Sequence, residues 1–292
     1  MAKNERFDNR TALFFVLPFV AVYGLLFVYP TLQMVALSLT DSHLIVPGKW
    51  VGLDNYLALF HDWRMRNALV NTALFVLLTA IPGTAVALLI AMMLSRLNGR
   101  VQAIALALFF LPYVLPVSVV IIIWDFLLSR DSGVLQYIII PLVGHRVPVF
   151  STVSWVLPIS ALITVWWTSG FNILLFLAGL RNIPPELYEA ASIDNASRWA
   201  KFRLITWPLI WPVTALVLAV QLILQIKIFD QIFLVTGGGQ VDATLVLVQY
   251  IYSLGFQKDQ GGYAATVAVA LFIIVIAASV LQFQLLRARG RK

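Results

Sequence analysis

The stretch IPPELYEAASIDNASRWAKFRLITWPLIWP, residues 183–212, decides how the rest of the chain is read. It is charged, amphipathic and bounded by prolines, and it lies between two long apolar segments. Pro184 and Pro185 stop one helix and start another, because proline suits the first helical turn. Glu186 and Glu189 follow at once, where the helix dipole favours anions. Leu187, Ala190 and Ala191 give an apolar face. Asp194-Asn195 then breaks the run, since asparagine tolerates left-handed backbone better than most residues. A second short helix is expected from Ser197. Trp199, Phe202 and Ile205 recur at three-residue spacing, and Arg198, Lys201 and Arg203 project elsewhere. The expectation is a helix–turn–helix lying across a membrane face. The residues fit two readings equally: a docking element for a soluble partner, or an ordinary amphipathic loop anchored by Trp199 and Phe202.

Composition supplies the membrane. Of 292 residues, 61% are hydrophobic and 11% charged, against about 25% charged in a soluble domain. Too little polar surface exists to cover such a chain in water. A spanning helix needs about 20 apolar residues. Six windows free of Lys, Arg, Asp and Glu meet that need: 11–40, 68–95, 101–124, 147–180, 204–226 and 260–286. The first is too long for the apolar core of a cleaved signal peptide, and is expected to stay as a helix. The run 132–145 contains Pro141, is too short to span, and reads as an interfacial element in a loop. With the N-terminus in the cytoplasm, 13 Lys and Arg, including Lys3, Arg6, Arg291 and Lys292, fall on the cytoplasmic side and 6 outside, with Lys227 near a helix end. Both termini and the loop around Glu189 are then cytoplasmic.

The net charge of +7 is spread around apolar segments and forms no stripe of the kind that binds nucleic acid. There is no cysteine, hence no disulfide framework and no thiolate metal site. His43, His61 and His145 are scattered over outer loops, so no metal site is expected. The outer loops carry turn chemistry at Pro47-Gly48, Asp131-Ser132-Gly133 and Gly237-Gly238-Gly239. Pro112 and Pro116 in FFLPYVLP should kink the third helix, each by removing a backbone hydrogen bond. Lys227 and Asp230, three apart, fit an intrahelical pair.

Polar groups inside spanning helices are expensive and mark a water-filled path or helix–helix glue. Gln221 and Gln225, four apart, share one face of the fifth helix. Thr168 and Asn172 of the fourth helix stand beside Trp166, Trp167 and Phe171. Amides both donate and accept, and aromatic faces stack on sugar rings, so these residues suit a hydroxyl-rich ligand; packing fits them as well.

EAASIDNA followed by ITWPLIWP resembles the EAA loop of ABC-importer permeases, where EAA is followed by Asp-Gly-Ala and then Ile-Thr-Leu-Pro. VGLDNYLALF (51–60), ALVNTALF (68–75), FFLPYVLP (109–116), FLAGLRNIPPELYEAA (176–191), FDQIFLVTGGGQ (229–240) and GYAATVAV (262–269) are similar to segments of carbohydrate permeases of the maltose and glycerol-3-phosphate type. The resemblance covers nearly the whole chain. Asn195 stands where the family has glycine, and Gln240 where a proline often follows the glycine triplet.

The resemblance implies an all-α membrane protein with the type I ABC importer permease fold: six transmembrane helices and a cytoplasmic coupling helix. One permease domain would fill 1–292, with helices over 12–39, 68–95, 101–128, 155–180, 208–235 and 262–287 and a coupling loop over 181–207. It also implies a prokaryotic inner-membrane location. The coupling helix would sit in a cleft of an ATPase subunit dimer, with Glu189, Ala190, Ala191, Asp194 and Asn195 as contacts. A second permease subunit, expected to be a different chain, an extracytoplasmic solute-binding protein and a sugar substrate complete the system. Gln221 and Gln225 align with the family's ligand-contact positions, which puts Gln221, Gln225, Asn172, Trp167, Thr168 and Phe171 on the substrate path.

No GxxxxGK[ST] phosphate loop exists here, and TGGGQ lacks the lysine and the hydroxyl residue. ATP and magnesium are expected on the partner, with no cofactor and no catalytic residue on this chain. A secondary transporter or channel would need ionisable groups deep in its helices, and none stands near a helix centre. An intramembrane enzyme would need HExxH, a paired-aspartate motif or a GxSG nucleophile, and Thr168-Ser169-Gly170 follows Trp167 where glycine is required. The topology is open to direct test because the chain lacks cysteine. A single cysteine placed at Ser197 should resist an impermeant thiol reagent applied to intact cells, and one at Gly238 should react. Labelling at 197 from outside would overturn the orientation.

Overall fold

The computed structural model describes residues 9–237 and 242–289. Lys3, Arg6, Gly238, Gly239, Gln240, Arg291 and Lys292, used above for orientation and turn chemistry, lie outside the described residues. Among the described residues there is no strand, only an isolated antiparallel bridge between Thr40 and Trp50. The helices run α1 (Asn9–Tyr23), α2 (Tyr29–Leu37), α3 (Asp54–His61), α4 (Trp63–Leu94), α5 (Gly99–Val114), α6 (Val117–Leu128) and α7 (Gln136–Val143). They continue with α8 (Val153–Arg181), α9 (Pro185–Ile193), α10 (Arg198–Lys201), α11 (Trp207–Ile226), α12 (Asp230–Val235), α13 (Leu247–Tyr252) and α14 (Gly261–Arg289). Five stretches are long and apolar enough to cross a membrane: Leu13–Leu37, Trp63–Leu94, Val153–Arg181, Arg198–Ile226 and Gly261–Gln284. The bent pair α5–α6 makes a sixth.

Contacts divide the chain into two compact units, Met1–Asp62 with Ile251–Phe272, and Trp63–Tyr250 with Ile273–Lys292. In the first, α1 and α2 join through a π-helical turn, Gly24–Val28. Pro30 of α2 has no N–H, and in a regular helix its ring would crowd the carbonyl four residues back. The wide turn ahead of it absorbs that conflict. The loop after α2 is held by side chains from both ends of the unit. Asn55 Nδ2 donates to the carbonyls of Ser38 (3.0 Å) and Thr40 (2.8 Å). Thr266 Oγ1 donates to the same Ser38 carbonyl at 3.0 Å, and the Gly262 N–H donates to Ser42 O at 2.7 Å. A Cβ at Gly262 would meet the Thr40 carbonyl, so only glycine lets α14 approach this loop. Tyr263 Oη donates to Asp62 Oδ2 at 2.7 Å. The segments VGLDNYLALF and GYAATVAV therefore hold one joint.

The second unit is a helical bundle in which α4, α8 and α11 pack on one another and α5 lies along α8. Apolar residues at helical spacing make its core: Ala87 and Ala91 of α4, Ile173 and Phe176 of α8, Ile210 and Val217 of α11. Side chains of α4 hold the segment leading into α13. Arg64 pairs with Asp242 at 3.2 Å, Asn71 Nδ2 donates to the carbonyls of Ala243 (3.0 Å) and Leu245 (2.9 Å), and Thr72 Oγ1 accepts from the Leu247 N–H. The interfacial run 132–145 contains α7, capped by Gly144 in the left-handed region (φ 82°). Gln136 anchors it, donating to Leu128 O and Val147 O and accepting from the Val147 N–H.

Two expected helices are interrupted. The helix expected over 101–128 becomes α5 and α6, bent by 98°. Leu115 is extended (φ −71°, ψ 137°) because Pro116 follows it, while Pro112 is accommodated inside α5. The helix expected over 208–235 stops at Ile226 and restarts at Asp230 as α12. No proline or glycine marks that break. It turns Ile228 and Ile232 into a core with Phe75, Leu157, Ala161 and Val246. Lys227 and Asp230 consequently lie on either side of the break, and no ion pair joins them.

The packing of α8 on α5 turns on Gly170. A Cβ there would collide with backbone atoms of Phe109 and Phe110, which cannot swing away. Gly170→Val should destabilise by about 1–3 kcal/mol, the usual cost of overpacking a core. At Gly83 an added Cβ meets only the Val165 side chain, at an ordinary 3.7 and 4.0 Å. Gly83→Ala should be neutral or stabilise by about 0.5–1 kcal/mol through lower unfolded-chain entropy. Thermal unfolding of both variants in detergent checks this contrast.

Candidate functional site

Residues 183–212 form two short helices and a π-helical turn that leads into α11. Pro184 takes the N-cap position and Pro185 the first helical position of α9. Along α9, Glu186, Glu189, Ala190 and Ile193 share one exposed face, while Tyr188 and Ala191 on the other side are half-buried. The helix ends in a Schellman motif: the Ala196 N–H donates to Ala191 O (2.9 Å) and the Asn195 N–H to Ser192 O (3.1 Å). Asn195 holds the left-handed position of that motif, with φ 53°. It thus takes the backbone angles that glycine would take. Ser197 then caps α10, its Oγ accepting from the Ala200 N–H at 3.2 Å.

Polar side chains tie α9 back to the bundle. Tyr188 Oη and Thr206 Oγ1 lie 2.9 Å apart, and Lys201 Nζ donates to Ser192 Oγ at 2.6 Å. Phe202–Thr206 is a second π-helical turn, and like the first it stands ahead of a proline, Pro208. The aromatic run Trp199, Phe202, Trp207 and Trp211 packs in tilted pairs, with interplanar angles of 30°, 47° and 60° at centroid distances of 5.4, 6.1 and 5.5 Å. Trp199 and Leu204 remain exposed, at 66% and 72%. Of the candidate contact residues, Glu189, Ala190, Asp194 and Asn195 are exposed and Ala191 is half-buried.

A second group lies in the interior. Ile210, Thr214, Val217, Gln221 and Gln225 form one buried stripe along α11. On α8 the corresponding stripe is Leu157, Ala161, Thr164, Thr168, Asn172 and Phe176. Gln225 Nε2 donates to Gln221 Oε1 at 2.9 Å, so one hydrogen bond joins the two amides. Asn172 is 1% exposed, and neither its Oδ1 nor its Nδ2 has a hydrogen-bond partner among the described residues. A buried amide without a partner carries a desolvation cost that a water or a ligand hydroxyl removes. Trp167 and Phe171 belong to the α5 side. Trp167 Nε1 donates to the Leu115 carbonyl at the α5–α6 corner (3.2 Å), and Phe171 stacks on Tyr113 at 5.4 Å and 15°. The structure thus unites the glutamines with each other and places Trp167 and Phe171 on the corner of the third span. Sequence reasoning did not single out Tyr113, Tyr188 or Thr206. Tyr188 and Thr206 lie inside the quoted stretch, and only their contact across 18 residues brings them forward.

Residues 83–291 match the family model described as binding-protein-dependent transport system inner membrane component. The chain is 31% identical over 280 residues to the arabinooligosaccharides transport system permease protein of Bacillus subtilis, covering 93% of this chain and 87% of that one. It is 29% identical over 287 residues to the sulfoquinovosyl glycerol transport system permease protein of Agrobacterium fabrum, covering 97% and 92%. It is also 29% identical to the lactose transport system permease protein of Rhizobium radiobacter, covering 98% and 97%. Its fold matches a chain of a bacterial ABC transporter involved in the import of the acidic polysaccharide alginate, with a TM-score of 0.83 at 24% identity over 96% of both chains.

The left-handed turn at Asn195 gives a direct test of the loop's geometry. Asn195→Gly should keep or improve stability, since glycine is the preferred residue at that position. Asn195→Val should cost about 1–2 kcal/mol locally, as a β-branched residue pays the left-handed penalty in full. Limited proteolysis within 193–198 should be unchanged in the first variant and faster in the second.

Proposed function

The chain belongs to the family of binding-protein-dependent transport system inner membrane components, and on that footing we propose that it is the permease subunit of an ATP-driven importer that moves a sugar inward. The relatives that align over nearly the full chain are named for glycosidic or oligosaccharide cargo, which supports a carbohydrate substrate. A related solved assembly holds a periplasmic protein with bound alginate pentasaccharide, which supports delivery by an extracytoplasmic binding protein. The remaining partners are a second permease of different sequence and an ATPase dimer that carries ATP and magnesium. Both chain ends face the cytoplasm in this reading.

The observation that carries the proposal is the exposed face of α9, with Glu186, Glu189, Ala190 and Ile193 presented outward and the helix end fixed by Asn195. A short, capped helix with free carboxylates and an apolar side is suited to seating in a cleft of the ATPase. Because α11 follows from this loop through one turn, movement of α9 is passed along the stripe that carries Gln221 and Gln225. Those amides, bonded to each other here, would exchange that bond for sugar hydroxyls when the path opens, with Asn172 as a third polar group. Thr168 shares the Asn172 face of α8, and Trp167 and Phe171, on the α5 side, would border the path there.

The test uses the assembled complex with its binding protein and a panel of sugars. Glu189→Lys should leave membrane insertion intact but weaken ATPase assembly, or uncouple hydrolysis from uptake. Gln225→Ala should raise the sugar concentration needed for uptake, since losing one amide–hydroxyl bond removes about 0.5–1.5 kcal/mol. Unchanged assembly, hydrolysis and uptake in Glu189→Lys would remove the docking role. Normal uptake per assembled complex with lowered thermal stability in Gln225→Ala would make the glutamines packing residues.

A further inference from the structure

Behind α9, on the side turned towards the bundle, lies a cavity of about 220 Å³. Three cations line it, Arg96, Arg198 and Lys201, with the hydroxyls of Ser95, Tyr188 and Thr206. No carboxylate lines it. Among the described residues the ion pairs are His43 with Asp259 and Arg64 with Asp242, so none of the three cations is neutralised by an acid. The nearby Arg181 shows the alternative: its guanidinium donates to Gln102 Oε1, and Gln102 Nε2 donates to Leu94 O. Arg96 and Arg198 have no such arrangement. Arg96 and Arg198 are exposed and Lys201 half-buried, and three like charges around one cavity give it a positive potential that an anion would complete.

The depth of the cavity identifies the anion. Ser95 is the last residue of the charge-free window 68–95, Leu180 the last of 147–180, and Thr206 stands at the start of 204–226. All three apolar spans therefore end at this cavity, which places it in the headgroup layer. Its apolar lining is Met92, Leu180 and Phe202, and Phe202 packs on exposed Trp199, a residue type that lodges at the membrane interface. Guanidinium groups match phosphate oxygens in geometry as well as charge. We propose that this cavity binds the phosphate group of an anionic phospholipid, bridging the end of α4 to α10. The inference rests on the chain's spanning the membrane and is independent of what docks on α9.

The experiment uses the assembled complex, stripped of lipid in detergent. Phosphatidylglycerol, zwitterionic phosphatidylcholine and inorganic phosphate at fixed ionic strength are the probes, read by native mass spectrometry and thermal unfolding. Phosphatidylglycerol should bind and stabilise in preference to phosphatidylcholine. Its affinity should fall about fivefold for each cation removed in Arg96→Gln and in Arg96→Gln with Arg198→Gln. Arg96→Lys with Arg198→Lys should retain most of it, and Arg203→Gln, an exposed cation outside the cavity, should retain all of it. If the double variant does not assemble, Arg96→Gln alone carries the measurement, because Arg96 lies outside the 183–212 loop. Stabilisation by inorganic phosphate with no response to phosphatidylglycerol would keep the anion site and overturn the lipid as its occupant. Equal binding of both lipids with no effect of phosphate, or an equal loss in Arg203→Gln, would overturn the site itself.

Discussion

Inside a bilayer no water meets a backbone group that secondary structure has released, so every departure from regular helix must be satisfied by the protein itself. This chain departs often, and each departure has an identifiable remedy. Where α5 gives way to α6, the Leu115 carbonyl is met by the indole of Trp167. Where Pro30 and Pro208 withhold an N–H, a π-helical turn stands immediately ahead. Where the chain leaves the short 3-10 turn Asp242–Thr244 and runs on to α13, Asn71 and Thr72 of α4 supply the missing partners. A packed bundle alone would not allow so many breaks. Asn71 and Thr72 of α4 and Trp167 of α8 are the polar side chains that make these breaks tolerable.

That arrangement explains what the sequence makes legible. Spans are legible because composition alone excludes water from them, and the six charge-free windows correspond to the five apolar helices and the bent pair. The loop at 183–212 is legible because its determinants are local: prolines at the start, a left-handed asparagine, and a serine that caps the next helix. The break after Ile226 is not legible, since Lys-Ile-Phe holds no local signal and the cause is burial of Ile228 and Ile232 against residues far away in sequence. The 98° corner is half legible: Pro116 announces a disruption, but its angle is fixed by contacts with α8 and α12.

The candidate site divides in the same way. Glu189 and Asp194 are exposed as their surroundings in the sequence demand. The interior residues could be named from the chain, but their partners could not. Only the folded structure reveals that the amides of Gln221 and Gln225 bond each other, that Asn172 has no partner among the described residues, and that Trp167 is engaged by a carbonyl on another helix. Likewise Arg96 is unremarkable in sequence and becomes part of a cationic cavity only because α4 ends beside α10.

The π-helical turn at Phe202–Thr206 has a geometric corollary. Such a turn is an α-helix holding one residue too many, and each residue in an α-helix rotates the chain by about 100°. The widened turn spreads one rotation over that extra residue, so the helix on either side keeps nearly the azimuth an uninterrupted helix would give. Excising the residue would restore a regular turn and bring the ring of Pro208 against the carbonyl four residues back. The tolerance for proline at the mouth of α11 is therefore held in the length of this turn and not in any one side chain.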